Sequence, residues 1–331
     1  MKNHISLFIF AIALLSGPVS ANDLSMTAVK DTLASIPGEH NYIYVRTPLG
    51  EDEEKNYDEI TFYDGLGREL DFAQSYGADR AGAIMAHHHL IEYDSLGRKE
   101  KQWLSTNTSF SYMSPEDLKG GVLWDYHDAG KRSYLQTNYE SSPLNRITEQ
   151  YGVGDAWGDH PARMEYLTNI PADSLRCSFY FIDDNDSLIR RGDYRSGELQ
   201  VTKATDEDGK PTYTFVDKQG RTLLTRLGRG NQQADTYFVF DRFGRIRYVL
   251  PPMINDEISA GNLDLYAYQY LYDSFGRCIS KKLPGCAAIG YVYDKADRVI
   301  LSQNGNQSQK KEWTFTFYDN QGRLALTGPV S

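Results

Sequence analysis

Tyr63-Asp64-Gly65-Leu66-Gly67-Arg68 is repeated along the chain as Tyr93–Arg98 (YDSLGR), Phe240–Arg245 (FDRFGR), Tyr272–Arg277 (YDSFGR) and Tyr318–Arg323 (YDNQGR). Weaker copies stand at Val216–Arg221 (VDKQGR), Tyr293–Arg298 (YDKADR, with Asp297 in the Gly slot) and Tyr126–Lys131 (YHDAGK). Self-similarity of this kind marks a fold assembled from one repeated supersecondary unit.

Each copy reads as the tip of a β-hairpin. The aromatic ends a strand, where its ring packs on a cross-strand neighbour. Asp takes the first position of a type I turn, its carboxylate accepting a backbone N–H, and Gly supplies the positive φ of the turn and bulge. Arg opens the return strand, close enough to bond the Asp or stack on a ring. The structural residues are therefore Asp64, Gly67, Arg68; Asp94, Gly97, Arg98; Asp241, Gly244, Arg245; Asp273, Gly276, Arg277; and Asp319, Gly322, Arg323. Asp64 and Asp94 are 30 residues apart; from Asp217 the steps to Asp241, Asp273, Asp294 and Asp319 are 24, 32, 21 and 25. That irregularity predicts hairpins of varied length rather than a strict propeller or solenoid period.

Residues 1–21 read as a secretory leader: Lys2, an apolar run Leu7–Leu15, and Val19-Ser20-Ala21 before the expected new N-terminus at Asn22. The run is too short to span a bilayer, and nothing downstream resembles a transmembrane helix, so no membrane insertion is expected. A periplasmic, cell-surface or secreted location follows. The net charge of −10, which loses Lys2 with the leader, disfavours nucleic acid and anionic membranes as partners. Tyr (24) outnumbers Phe (14), a bias that suits half-buried strands and sugar-binding surfaces alike.

Residues 22–40 read as a linker and 41–130 as a first β region, in which Asn41–Thr47 alternates like a half-buried strand and pairs with Tyr57–Tyr63 around a solvated acidic tip, Glu51–Glu54. The tip lacks the alternating ligand spacing of a Ca²⁺ loop. Over 131–176 the repeat lapses, through Ser142–Ile147 and Gly154–Trp157, giving an insertion or a diverged repeat. Residues 177–331 form a second β region, with a degenerate tip at Ile182–Asp186 and a turn at Asp206–Pro211. No long amphipathic helix is expected after the leader. The fold class is all-β, with repeated hairpins forming an elongated or spiralling, partly open, shell-like sheet.

These residues carry a family resemblance. The tips are similar to the YD or RHS repeat of bacterial secreted and cell-surface proteins. The order NYIYVRT, YDGLGR, EYDSLGR with Lys101–Leu104, SPLNR, GDAW, KKLPG and YVYDKADRVILSQNGNQ with EWTF resembles the N-terminal, signal-bearing portion of large RHS-repeat proteins of Gram-negative bacteria. The resemblance implies hairpins winding into a shell, with enclosure of a C-terminal toxin domain or surface contact roles. Larger members continue to a core segment and an effector; neither is identified before Ser331.

Candidates for chemistry are sparse. In His87-His88-His89 only His87 and His89 share a strand face, and zinc needs a further ligand; polar positions on an exposed edge are the expectation. The recurring Asp residues have a local backbone role, whereas a glycosidase needs two carboxylates across a cleft. There is no nucleophile elbow, phosphate loop or Cys-Xaa-Xaa-Cys, so no catalytic residue, metal or cofactor is assigned. Cys278 and Cys286 flank a turn, and a disulfide there requires Cα atoms within about 7 Å. Cys177 reads as a buried apolar residue. Trp157, in a Gly-rich loop, is the candidate for stacking on a sugar ring; the alternative is a ring plugging the core.

An exported, non-enzymatic RHS-repeat scaffold is expected, with other RHS-type chains or surface glycans as partners. A hydrophobic edge strand at the C-terminal end favours the scaffold; clustered exposed Trp and Tyr favour a glycan-binding module.

Overall fold

The computed structural model describes residues 36, 40–48, 56–78, 84–127, 130–228, 233–254 and 256–331. The leader, nearly all of the linker and the acidic tip Glu51–Glu54 lie outside them. The chain divides into two compact units, the first ending at Pro161 and the second spanning Ala162–Ser331.

In the first unit, β1 (Asn41–Pro48), β2 (Asn56–Tyr63), β3 (Glu69–Ala78) and β4 (Ile84–Tyr93) pair antiparallel in order. The long β4 then splits its outer edge. Its first half pairs β6 (Thr106–Ser109) and its second half pairs β5 (Lys99–Trp103), from which β7 (Tyr134–Tyr139) and β8 (Ile147–Tyr151) continue. Period-two alternation puts Ile60, Phe62, Ala73, Ile84 and Ala86 into one core with Phe110.

One element departs from the all-β expectation. Pro115–Asp125 is a helix, α1, capped by the Ser114 hydroxyl accepting from the Asp117 N–H, with Pro and two acids in its first turn. Leu118 and Val122, one turn apart, are its buried residues. The glycine pair in its middle conceals it in the sequence, and the packing explains one of them: a Cβ on Gly121 would stand 2.6 Å from the Thr106 hydroxyl. The helix also overturns the expected tip at Tyr126–Lys131. Tyr126 caps α1 instead of ending a strand.

In the second unit, β9 (Ala162–Thr168) pairs β12 (Gln200–Thr205), and the ladder proceeds through β13 (Pro211–Val216), β14 (Thr222–Leu227), β15 (Ala234–Phe240), β16 (Ile246–Leu250), β17 (Tyr268–Tyr272), β18 (Cys278–Lys282), β19 (Ile289–Tyr293), β20 (Val299–Gln303), β21 (Trp313–Tyr318) and β22 (Leu324–Val330). All pairings are antiparallel, and the sheet stays open: among the described residues β9 has one neighbour and β22 has one. A separate hairpin, β10 (Ser178–Ile182) with β11 (Leu188–Asp193), lies on β15, Tyr180 meeting Tyr237 edge-on at 4.9 Å. Short helices α2 (Ala260–Tyr266) and α3 (Gly305–Lys310) fill two of the connections.

The core of this unit gathers Cys177, Tyr180, Leu188, Val201, Phe215, Leu224, Val239 and Leu250. It then stops. Among the described residues no buried side chain follows Ala267, so β17 to β22 extend from the packed part as a thinly covered sheet.

Candidate interaction site: stacked hairpin tips and an open edge

Every YDxxGR turn closes in the same way. At 273–277, one Asp273 oxygen accepts the N–H groups of Phe275 and Arg277, both at 2.9 Å, and the other accepts Arg277 Nε at 2.7 Å. The backbone completes the turn, Asp273 N–H donating to the Arg277 carbonyl and Gly276 N–H to the Asp273 carbonyl, both at 3.0 Å, with Gly276 at φ +85°. The same contacts form around Asp64, Asp94, Asp217, Asp241, Asp294 and Asp319. Each of these carboxylates is thus saturated by its own turn. At Asp294 and Asp319 the backbone N–H and guanidinium of the closing arginine hold the carboxyl below its ordinary range.

The turns are also joined to one another. The Arg68 guanidinium lies 4.4 Å from the Tyr93 ring centre, Arg245 4.9 Å from Tyr272, Arg277 5.0 Å from Tyr293 and Arg298 4.8 Å from Tyr318; Arg221 meets the Phe240 ring at 5.1 Å. In return the ring hydroxyl donates to the carbonyl of the residue after the preceding arginine: Tyr93 to Glu69 at 2.6 Å, Tyr293 to Cys278 at 2.8 Å, Tyr318 to Val299 at 3.1 Å. The arginine's free nitrogen reaches the next turn, Arg245 Nη1 donating to the Asp273 carbonyl at 3.2 Å and Arg277 Nη1 to that of Asp294 at 3.1 Å. The glycine is part of the fit, since a Cβ on Gly97 would stand 3.0 Å from Arg68 Nη1. Where Asp297 replaces glycine, at φ +59°, its carboxylate accepts from Arg277 at 2.9 Å.

One further turn was hidden in the sequence. Glu140–Arg146, within the block where the repeat lapses, is a lengthened tip: Glu140 N–H donates to the Arg146 carbonyl, Asn145 takes the positive φ, and Arg146 grips the Glu140 carboxylate through two nitrogens. Arg146 holds the Glu140 carboxyl down to about 2. Tyr139 carries out the usual exchange, its ring 4.7 Å from Arg98 and its hydroxyl on the Lys99 carbonyl at 3.0 Å. Asp206 and Asp183 anchor tips at 206–210 and 183–187, with Gly209 and Asp186 at positive φ. Near His127, where the motif has lost its Asp, the carboxylate comes from elsewhere: Asp155 accepts the N–H groups of Lys131 and Arg132 at 3.2 and 3.0 Å.

The last of these turns among the described residues is Asp319–Arg323. The Arg323 side chain is 73% exposed, against 15–36% for the closing arginines of the six other turns with this Asp–Arg pairing. On β22, six of seven residues are exposed, among them Leu324, Leu326 and Val330, and Phe317 of β21 is 62% exposed beside them. The last strand therefore offers apolar side chains and one unpaired row of backbone groups.

Comparison with known proteins agrees with this geometry. Residues 41–168 match a domain family described as a domain of unknown function (DUF6443). The crystal structure of TcdB2-TccC3-Cdc42 is similar at a TM-score of 0.57 and 14% identity over 88% of this chain, and that of TcdB2-TccC3 at 0.56 and 12% over 94%. The likeness is one of fold. This chain spans only 13% and 15% of the respective chains it matches. No curated protein matches it.

Elsewhere in the chain the candidate residues fall apart. Cys278 and Cys286 are free thiols: Cys278 pairs Tyr272 within the ladder, and the β18–β19 register sets Ser280 against Gly290, so Cys286 lies in the connection and not opposite Cys278. The expected cross-hairpin disulfide is absent for that reason. Buried Cys177 has its thiol pushed up to about 12 by burial. Trp157 is 47% exposed in a short turn, with its ring against Gly152, and Trp124 at the end of α1 is 83% exposed.

The histidine run does not sit on an exposed edge, because β6 covers it. His88 is buried, Nδ1 2.6 Å from Asp71 Oδ2 and Nε2 2.9 Å from the Ser109 carbonyl. His87 stacks on Tyr76 at 4.3 Å, and burial depresses the His89 pKa. Among the described residues no three His, Cys, Asp or Glu side chains cluster as metal ligands. A cavity of about 320 Å³ lies under the β10–β11 hairpin, lined by Phe179, Phe181, Tyr194, Phe240, Arg242 and Asp241. Its carboxylate, Asp241, is committed to Arg245 and its own turn.

Proposed function

We propose that this chain is an exported, non-enzymatic RHS-type scaffold whose thinly covered strands β17 to β22 pack against another RHS-type chain. The observation that carries the reading is the loss of burial after Ala267, which leaves the side chains of six successive strands, β17 to β22, without a covering layer. The saturation of the tip carboxylates supports a structural role for them over acid–base catalysis.

Size-exclusion chromatography with light scattering on residues 22–331, over a range of concentrations, tests it. The expected result is association that a Leu326→Lys substitution on the exposed strand β22 abolishes. A monomer at every concentration would overturn the scaffold reading. A second reading, a glycan-binding surface, is favoured by the exposure of Trp157 and Trp124. A selective hit on a glycan array, lost in Trp157→Ala, is its signature.

A further inference from the structure

The cavity of about 320 Å³ under the β10–β11 hairpin lies wholly within the second unit, and its polar atoms are unbalanced in favour of donors. Arg221 spends Nε and Nη2 on Asp217 at 2.7 and 2.6 Å, but among the described residues its Nη1 lacks the bond that Arg245 and Arg277 make to the carbonyl of the next turn. The Tyr194 hydroxyl likewise has no acceptor among the described residues, and burial raises its pKa, so it keeps its proton. Arg242, exposed on the Asp241 turn, rests its guanidinium 4.8 Å from the Phe243 ring and meets no carboxylate among the described residues. The lining carboxylate does not offset these groups. One Asp241 oxygen accepts the N–H groups of Phe243 and Arg245, and the other accepts Arg245 Nε.

The walls, by contrast, are rings. Phe179 and Phe181 of β10 stack at 5.5 Å, Tyr194 meets Phe179 edge-on at 4.8 Å, and Phe240 of β15 lies 5.1 Å from the Arg221 guanidinium. The volume falls in the range of small-molecule sites, about 300–1,000 Å³. A neutral sugar is a poor match, because each hydroxyl taken into a ring-walled site needs an acceptor as well as a donor, and the lining carboxylate has both oxygens taken. A ligand with a flat apolar body and an end that only accepts answers both the rings and the surplus donors. We infer that this cavity binds a small aromatic carboxylate, its ring against Phe179, Phe181 and Phe240 and its carboxylate received by Arg221 Nη1, the Tyr194 hydroxyl and Arg242. The site stands independently of the scaffold reading.

The probe is naphthalene-2-carboxylate, titrated calorimetrically into residues 22–331 beside naphthalene-2-methanol, which keeps the rings and loses the charge. Saturable binding of the acid is expected, with the alcohol weaker by about tenfold or more, the scale of a hydrogen bond to a charged group. Arg242→Gln should weaken the acid by a similar factor and leave the alcohol unchanged; Tyr194→Phe keeps the ring, removes one donor and gives a smaller loss. Because Arg242 is exposed on its turn, Arg242→Gln should leave the melting temperature unchanged, which keeps the test decisive if Tyr194→Phe disturbs folding. No saturable binding of the acid would overturn the site. So would equal affinity for acid and alcohol, or acid binding indifferent to Arg242→Gln, which would mark adsorption to the thinly covered strands β17 to β22. Each of these outcomes leaves the scaffold reading to the light-scattering result.

Discussion

The Arg277 guanidinium lies 5.0 Å from the centre of the Tyr293 ring, while the Tyr293 hydroxyl donates at 2.8 Å to the carbonyl of Cys278, the residue that follows Arg277. Two neighbouring hairpins are thus fastened by a reciprocal contact between one arginine and one tyrosine. The same arginine also grips Asp273 within its own turn at 2.7 Å, so it serves the local turn and the next hairpin together.

That double duty predicts an asymmetry between equivalent positions of the repeated turn. Arg277→Lys removes the planar fork and most of the ring contact and should cost about 1–2 kcal/mol. Arg323→Lys, at a turn with an exposed side chain and no ring over it among the described residues, should stay within about 0.5 kcal/mol. Urea denaturation of both variants checks this, and equal losses would show that the joint adds nothing.

The tip glycines separate backbone strain from contact. Gly67→Val, at φ +76° with open space around it, should cost about 1–3 kcal/mol from strain alone. Gly97→Val, at φ +80° with Arg68 Nη1 3.0 Å from its Cβ position, should cost more. Unchanged melting temperatures in both would refute the positive-φ requirement at these turns.

Acid sensitivity follows from the turn carboxylates. The closing arginines lower the folded pKa of Asp294 and Asp319, and that of Glu140 to about 2, so these groups add stability that is complete above their unfolded values. Unfolded Asp and Glu titrate near about 4, so that stability is lost as pH falls from there through the folded values. The melting temperature should hold between about pH 7 and 5 and fall steeply between about pH 4 and 2. A flat profile through the lower range would contradict the pairing.

His88 faces two acceptors, the Asp71 carboxylate and the Ser109 carbonyl, in a site sealed from water. His88→Leu leaves the Asp71 carboxylate buried without its partner, and about 3–5 kcal/mol of stability should be lost. Calorimetry checks the loss, and recovery in the double variant His88→Leu with Asp71→Leu would assign it to the stranded polar group.

Thiol labelling checks the cysteines. Exposed Cys286 should react at once in the native protein and buried Cys177 only after unfolding. Unfolding without reductant should yield three alkylated cysteines by intact mass; one alkylated cysteine would reveal a bond between Cys278 and Cys286.

The sequence by itself determined the unit and its closure. An Asp with a positive-φ residue three places later and an arginine beyond it completes all its bonds within six residues, so the turn is legible wherever those letters occur in order. The same locality explains what stayed hidden. Glu140–Arg146 builds the turn from Glu, Asn and two extra residues, and the Lys131–Arg132 turn borrows Asp155 from 23 residues away, so neither spells the motif. The α1 helix was concealed because its glycine pair lowers helix propensity, and only the close approach to Thr106 accounts for Gly121. His88 reads as a polar residue in any local window; only the pairing of β4 with β3 and β6 brings Asp71 and Ser109 to its two nitrogens. Strand register likewise decided that Cys286 does not meet Cys278. Burial is a property of neighbours far along the chain, and it is the tertiary structure that packs Val201, Phe215 and Leu224 into a core yet leaves Leu324 and Leu326, with the same alternating pattern, open on the final strand.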